Sequence, residues 1–328
     1  MNKKTAIIAM LTALLILVPS AFIAFKKVFR AAAKKEEPET LFSPLAGEEP
    51  APNLVTPTPT PPDIYTILFL GLDKRFVNQT NYRTDAILLA TILDKDKKII
   101  LTSIPRDLWI EGAKINSFYC KEGFDTFAKK IKKITGIEPD SFISADFNSF
   151  VWAINQVEGV KVNVERDFTD YKFPDDRENA SVPPKFTAGV SAMKGEKALQ
   201  YCRSRKGTNG EGSDFQRMVR QQNLLEQLPK AYRNSDLLKL SVEALYKLVT
   251  KQIQTSISVK ETTELLPVIN NWDNYSLEKI VLDTENFLYQ PNSANYGEAY
   301  VLKPKGESFD KIKNYLNTKI DGTDSTNN

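Results

Sequence analysis

The sequence predicts an α/β body, three layers deep with a mixed central sheet, preceded by an N-terminal transmembrane helix. Three patterns predict it. An uncharged stretch of membrane-spanning length opens the chain, and a proline-rich segment follows. From residue 63 onward, short apolar runs alternate with amphipathic helical stretches, the signature of helices laid over one sheet.

Residues 5–25, TAIIAMLTALLILVPSAFIAF, are 21 positions without a charge. At about 1.5 Å per residue they span a hydrocarbon core of about 30 Å. A signal peptide has a shorter apolar region, about 7–15 residues. The stretch therefore reads as an uncleaved anchor, with Ala31-Ala32-Ala33 the cleavage site of the alternative reading. Seven basic residues and no acid lie within 1–35, five of them after the span. Counting charges alone puts the N-terminus outside. The anchor's position at the extreme N-terminus, and the motifs below, favour a cytoplasmic N-terminus and an extracytoplasmic body on the cell membrane. Residues 36–62 hold eight of the 18 prolines and end in TPTPTPP. They form an extended linker, either a spacer or a passive tether, reaching at most about 80 Å at roughly 3.1 Å per residue. The expected divisions are 1–35 (head, anchor and basic juxtamembrane segment), 36–62 (linker), 63–318 (body) and 319–328 (polar, frayed tail).

Within the body, Ile64–Leu70 is a buried strand ending at Gly71, and Ala86–Leu93 and Ile99–Ile104 are two more, separated by the polar turn DKDKK. A helix is expected at about 123–134, stopped by Gly136. Then come a strand at Ser141–Ala145, a helix at Phe147–Val157 and a strand at Val160–Val164. Residues 170–185 are polar and proline-containing, a loop. A helix starting near Met193 is expected to end near Tyr201. Ser213 and Gln216 have capping-box spacing, so a long helix begins there and runs to about Tyr232. Helices at 236–252 and 260–269, a strand at VLDT and a helix at 307–318 close the domain.

Composition narrows the chemistry. The chain has no histidine, which excludes Ser-His-Asp, Cys-His and HExxH catalysis. Two cysteines, Cys120 and Cys202, are too few for a disulfide scaffold or a structural zinc site, although one disulfide or two free thiols both fit. The net charge is +3, and removing the seven N-terminal basic residues leaves −4. Such a body lacks the basic footprint of a nucleic-acid-binding protein.

Four segments concentrate polar residues near strand or helix ends: Gly71-Leu72-Asp73-Lys74-Arg75, Arg83-Thr84-Asp85, Ser103-Ile104-Pro105-Arg106-Asp107, and Tyr201 to Gln221. The chain has 33 lysines and 11 arginines, yet seven of the arginines fall here: Arg75, Arg83, Arg106, Arg203, Arg205, Arg217 and Arg220. Arginine's planar fork binds phosphate in bidentate fashion. Open α/β sheets bind ligands beyond strand carboxyl ends. Asp73 and Arg106 follow strands and fit that rule. Asp85 precedes one, and reaches the same edge only if neighbouring strands run antiparallel. Each residue alone has an ordinary reading: an arginine pairs with a surface acid, Asp73 and Asp85 cap turns, and Asp107 caps the turn after Pro105. Together, several guanidiniums beside two carboxylates suit a diphosphate with a divalent metal, Mg²⁺ (or Mn²⁺).

The ordered set GxDxR, R-[ST]-D, S-[IL]-PRD, KIN (Lys114-Ile115-Asn116), GxxALxYxRxR (Gly195 to Arg205) and DxxRxxRQ (Asp214 to Gln221) resembles the LytR-CpsA-Psr family of cell-envelope glycopolymer transferases. The resemblance covers residues 63–230 and extends to about 318. It implies transfer of a glycopolymer from a polyprenyl-diphosphate carrier onto peptidoglycan, with formation of a phosphodiester bond in cell wall biogenesis. It implies that Asp73 and Asp85 hold Mg²⁺, and that Arg83, Arg106, Arg203, Arg205 and Arg217 clamp the diphosphate with Gln221 beside them. Asp73, Asp85 and Arg106 are the expected catalytic set, with either aspartate as the base. Arg75, Asp107, Lys114 and Arg220 are expected in support.

The sequence departs from the family after KIN, where SFYCKEG stands in place of small residues and paired glycines, and at the glycine-rich stretch 207–212. Phe147, Phe150, Val151, Trp152 and Ile154 are candidates for a lipid groove, but read first as core. Lys129, Lys130, Lys132 and Lys133 read as a solvated helix face. Two other functions stay open: a non-catalytic envelope protein that binds polyprenyl-phosphate lipid or wall polymer, and a polyprenyl-diphosphate phosphatase.

Overall fold

The computed structural model describes residues 60–74, 79–174 and 183–322. The expected membrane anchor, the linker up to residue 59 and Arg75 lie outside the described residues. Among the described residues no helix is long and apolar enough to cross a membrane.

Six strands form the central sheet: β1 (Ile64–Leu72), β2 (Thr84–Leu93), β3 (Lys98–Ser103), β4 (Ser141–Asp146), β5 (Gln254–Thr255) and β6 (Ser276–Val281), in the order β5-β4-β1-β2-β3-β6. β1 pairs antiparallel with β2 and parallel with β4, and β3 pairs antiparallel with β2 and parallel with β6. The sheet is therefore mixed, as the alternation of elements predicts. Among the described residues seven helices accompany it: α1 (Phe118–Thr135), α2 (Phe147–Gln156), α3 (Gly195–Arg203), α4 (Asp214–Arg233), α5 (Val242–Val249), α6 (Val259–Asn270) and α7 (Asp310–Asp321).

Side chains alternate across each strand, and each face feeds its own core. Leu68, Leu70, Ile87 and Leu89 pack with Phe127, Ile131 and Ile134 of α1 and Ile312 and Leu316 of α7. On the other face, Ile67, Leu88, Ala90 and Leu101 pack with Leu265 and Val268 of α6 and Leu225 of α4. A third cluster joins Ile154 of α2, Tyr201 of α3 and Leu224 of α4 to an antiparallel ribbon of Val160–Val164 with Gly189–Met193. Each fully buried Leu or Ile contributes about 1.5–3 kcal/mol. α2 and α3 cross closely: a Cβ on Gly195 would fall 2.4 Å from the Val151 carbonyl oxygen, so only glycine fits.

Several elements differ from expectation for local reasons. α1 begins five residues early, because a left-handed Gly123 (φ 74°) joins a short preceding turn of helix to the expected one. α3 continues to Arg203. The last long strand is Ser276–Val281, so VLDT contributes only its first residue. Lys130 is not part of a solvated face. It is 9% exposed, lies over the Phe118 ring and pairs with Glu111 (2.5 Å) and Glu122 (3.3 Å). Its neighbours Lys132 and Lys133 are exposed, as expected.

Candidate active site

Because β1 and β3 run in one direction and β2 in the other, the ends of β1 and β3 meet the start of β2 at a single sheet edge. Asp73 follows β1, Asp85 is the second residue of β2, and Arg106 follows β3. The Asp73 amide donates to the Arg83 carbonyl (2.8 Å), which closes this edge. β4 is parallel to β1 and ends here too, at Asp146, whose carboxylate caps α2 by accepting from the Ser149 amide (2.8 Å).

α4 delivers the opposite wall. Ser213 caps it, accepting from the Gln216 amide (3.0 Å) as its spacing predicts. Arg217 donates to the Asp85 carbonyl (2.8 Å) and pairs with Asp214 (3.1 Å). Arg205 Nε lies 3.0 Å from Asp214 Oδ1, and Arg106 Nε 3.8 Å from the same oxygen. Arg106 also pairs with Asp85 and, from behind, with Asp107 (3.5 Å). Lys114 pairs with Asp107 (2.6 Å) and so supports the cluster at one remove.

Three guanidiniums thus converge on two carboxylates, and their hydrogen bonding is incomplete. Among the described residues the Nε atoms of Arg106, Arg205 and Arg217 are buried and donate no hydrogen bond, and Asp85 Oδ1 accepts none. Buried polar atoms are nearly always satisfied, so such a concentration marks a place built to receive polar atoms from elsewhere. The titration of the arginines agrees. Burial, joined by the neighbouring charges of Arg106 and Arg205, holds Arg217 below its ordinary value despite Asp214 and Asp85. Burial works the same way on Arg106, but Asp85, Asp214 and Asp107 outweigh it and hold that guanidinium above its ordinary value.

The cluster faces a cavity of about 520 Å³. Along α4 the cavity wall reads Arg217, Gln221, Leu224 and Leu228, one helix face at i, i+4, i+7 and i+11. The wall therefore turns from cationic to apolar over about 16 Å of helix rise. Phe69 of β1, Leu88 of β2, Ile143 of β4 and Phe150 of α2 complete the apolar part, and the exposed wall is mostly apolar. An anionic head with a hydrocarbon tail matches this sequence of surfaces.

The model of the LytR_cpsA_psr family matches residues 29–318. The chain belongs to this family. It is 25% identical over 271 residues to TagV of Bacillus subtilis strain 168, named a polyisoprenyl-teichoic acid–peptidoglycan teichoic acid transferase, covering 80% of this chain and 66% of TagV. To TagT of the same strain, which carries the same transferase name, it is 27% identical over 242 residues, 71% of each chain. To the regulatory protein MsrR of Staphylococcus aureus it is 32% identical over 176 residues, 52% of this chain and 49% of MsrR. The chain thus spans half to about two thirds or slightly more of these relatives' lengths. The B. subtilis TagV crystal structure superposes with a TM-score of 0.61 at 25% identity, covering 79% of this chain and 98% of that one. A TagT structure with bound octaprenyl pyrophosphate lipid superposes with a TM-score of 0.56 at 22% identity, covering 79% and 91%.

Within this family member, the structure brings most of the sequence-predicted residues together. Asp73, Asp85, Arg106, Arg203, Arg205, Arg217 and Gln221 all line the cavity. Gln221 donates to the Cys202 carbonyl (3.2 Å), and Arg203 lies over the Phe147 ring at 4.1 Å. Arg83 is exposed and stands outside the cavity wall. Arg220 faces away from it, buried against Glu211. Phe147, Phe150 and Ile154 line the cavity, while Ile154 is also buried in the third core cluster with Phe150 packed against it, so the core reading holds for these two and needs correcting for Phe147; Val151 and Trp152 do not line it. Both cysteines are free. Four residues of the site escaped the sequence reading: Asp214 at the centre of the arginines, Asp170 beneath the 203–206 turn, and Lys172 and Lys206 on the cavity wall. Asp214 lay in a quoted motif and had a legible signal, an acid at the first turn of a helix carrying two arginines.

The donor set fits a divalent cation only as part of a site. Asp85 Oδ1 is a buried carboxylate oxygen without a hydrogen bond, and Asp73 lines the same cavity. Among the described residues no group of three or more acidic or thiol side chains could hold a metal ion. Two carboxylates completed by phosphate oxygens is the arrangement Mg²⁺ favours.

Proposed function

We propose that this protein transfers a glycopolymer from a polyprenyl-diphosphate carrier to peptidoglycan, forming a phosphodiester bond. The observation that carries the reading is the cavity, whose wall passes from a cluster of incompletely bonded arginines to apolar side chains. The transferase names of TagV and TagT, and the polyprenyl pyrophosphate bound to TagT, support it. The N-terminal segment would anchor the chain in the cell membrane and the body would stand outside, with the proline-rich linker between them.

In this reading Arg106, Arg203, Arg205 and Arg217 bind the diphosphate, and the apolar wall holds the first part of the polyprenyl tail. An acceptor sugar hydroxyl attacks the phosphorus that bears the polymer. A new P–O bond forms to the acceptor, and the bond to the bridging oxygen breaks. The electron pair leaves with polyprenyl monophosphate, and the hydroxyl proton goes to Asp73 or Asp85. Charge builds on oxygens that the arginines already face, so little reorganisation is needed. Asp73 and Asp85 would hold Mg²⁺ (or Mn²⁺), which when bound would neutralise phosphate charge.

The test incubates the full chain in detergent with a polyprenyl-diphosphate oligosaccharide, Mg²⁺ and peptidoglycan fragments, with Asp85→Ala and Arg106→Ala as controls. Mass spectrometry should find a phosphodiester-linked adduct and polyprenyl monophosphate, both lost in the variants. Monophosphate without adduct would mean water is the acceptor, the phosphatase function. Saturable binding without turnover would mean a lipid-binding role, to which the regulatory name of MsrR lends weight.

A further inference from the structure

Beside the arginine cluster lies a second cationic feature with its own buried anchor. Asp170 is 1% exposed and follows the strand-like pair Phe168–Thr169. One of its carboxylate oxygens accepts from the Ser204 hydroxyl (2.7 Å), the Arg205 amide (3.0 Å) and the Lys206 amide (3.1 Å). The other accepts from the Lys172 amide (3.0 Å). Burial opposes the charge on this carboxylate, but these four donors win and hold it below its ordinary range. Two distant turns are thereby stapled to one carboxylate. Phe173, from the first turn, lies 5.3 Å from the guanidinium of Arg203 in the second and tightens the link.

The staple places two lysines. Lys172 and Lys206 both line the cavity, and both are exposed. Among the described residues neither forms an ion pair, whereas Lys114 and Lys130 do. The buried carboxylate with its four donors fixes the backbone at Lys172 and Lys206, so both lysines are stationed beside the cavity. The arginines already face the place for a diphosphate, so the lysines add charge beyond it.

We propose that Lys172 and Lys206 form a second anion subsite at the rim of the cavity, held by Asp170 as a positioning residue. The ligand is an anionic group, phosphate or carboxylate, on the saccharide next to the diphosphate. The proposal rests on the transferase reading for its ligand and makes the rim a determinant of which polymer is accepted.

A matched pair of donors tests it: a polyprenyl-diphosphate disaccharide carrying glucuronate, and the same molecule carrying glucose. Affinity is read by calorimetry on the full chain in detergent, so turnover is not required. The wild type should bind the glucuronate donor about tenfold more tightly, two exposed charge contacts at the upper end of their range. The preference should shrink in 0.5 M salt. Lys172→Ala/Lys206→Ala should abolish the preference and leave the glucose donor's affinity unchanged. Asp170→Asn should reduce it with both lysines present. Should that variant fail to fold, the double lysine variant decides alone. Equal affinity for both donors in the wild type, a preference that survives in the double variant, or equal weakening of both donors would overturn the subsite. Binding with the expected preference but no transfer would sink the transferase reading and leave the subsite standing. No binding of either donor would remove both.

Discussion

Arg217 and Arg220 sit one helical turn apart on α4, and both are buried, at 4% and 2% exposure. Their surroundings differ completely. Arg220 donates to the Tyr201 carbonyl (3.0 Å), the Ser204 carbonyl and Glu211 (2.5 Å), so every nitrogen has a partner within the fold. Arg217 leaves its Nε unbonded and shares its neighbourhood with two further guanidiniums. One arginine is finished by folding; the other is left for a ligand to finish. Burial alone does not separate a structural charge from a functional one. The state of its donors does.

The largest expected effect breaks the unfinished side. Arg217→Met or Arg106→Ala should lower transfer by about 100-fold to 1000-fold, as loss of one charge-stabilising donor does elsewhere. Arg217→Met should nevertheless leave the melting temperature of the ligand-free protein unchanged or raised, since it removes a buried cation from beside two others. A marked fall in melting temperature would mean that Arg217 is as structural as Arg220.

Breaking the finished side should do the opposite. Glu211→Ala leaves Arg220 buried without its counter-charge and should cost about 3–5 kcal/mol in urea unfolding. Because Arg220 holds the Tyr201 and Ser204 carbonyls, transfer should fall only as far as the folded fraction does. A smaller expected effect is Ser213→Ala. Loss of the cap on α4 should cost about 1 kcal/mol, and full activity should persist at 25 °C.

Two titrations sharpen the contrast further. Asp170 is held below its ordinary value of 3.8. The stability it contributes should be complete above that value and lost as pH falls through its lower folded value. The stability gap between wild type and Asp170→Asn should therefore be constant from pH 5 to 8 and close below about pH 4. Cys202 is buried in the cavity wall, and burial pushes its thiol up to about 12. Alkylation at pH 8 should label Cys120 alone in the native protein and both cysteines after unfolding, because only the thiolate reacts.

How much of this was legible follows from what each signal encodes. Strand ends and the Ser213 cap were readable because they are local. Asp73, Asp85 and Arg106 were readable because antiparallel pairing of β1 and β2 joins the ends where they sit. Phe147 was misread because a helix facing a cavity and one facing a core have the same apolar period. Asp170 was hidden for a different reason: its distant partners are the Ser204 hydroxyl and two backbone amides, 34 to 36 positions away, and amides leave no mark in a sequence. Lys130 was misread because its nearer acid, Glu111, comes from a turn 19 residues earlier.

The cavity's two-part wall has a kinetic consequence. In the proposed reaction the tail's surroundings are the same before and after transfer; only the polymer end of the ligand leaves. Tail burial then stabilises substrate, transition state and spent carrier alike, and cannot accelerate the chemical step. It also means that spent polyprenyl monophosphate competes for the cavity it has just occupied. Turnover would be paced by the exchange of one lipid for another, and the clock would run at the rate at which the bilayer takes the old one back.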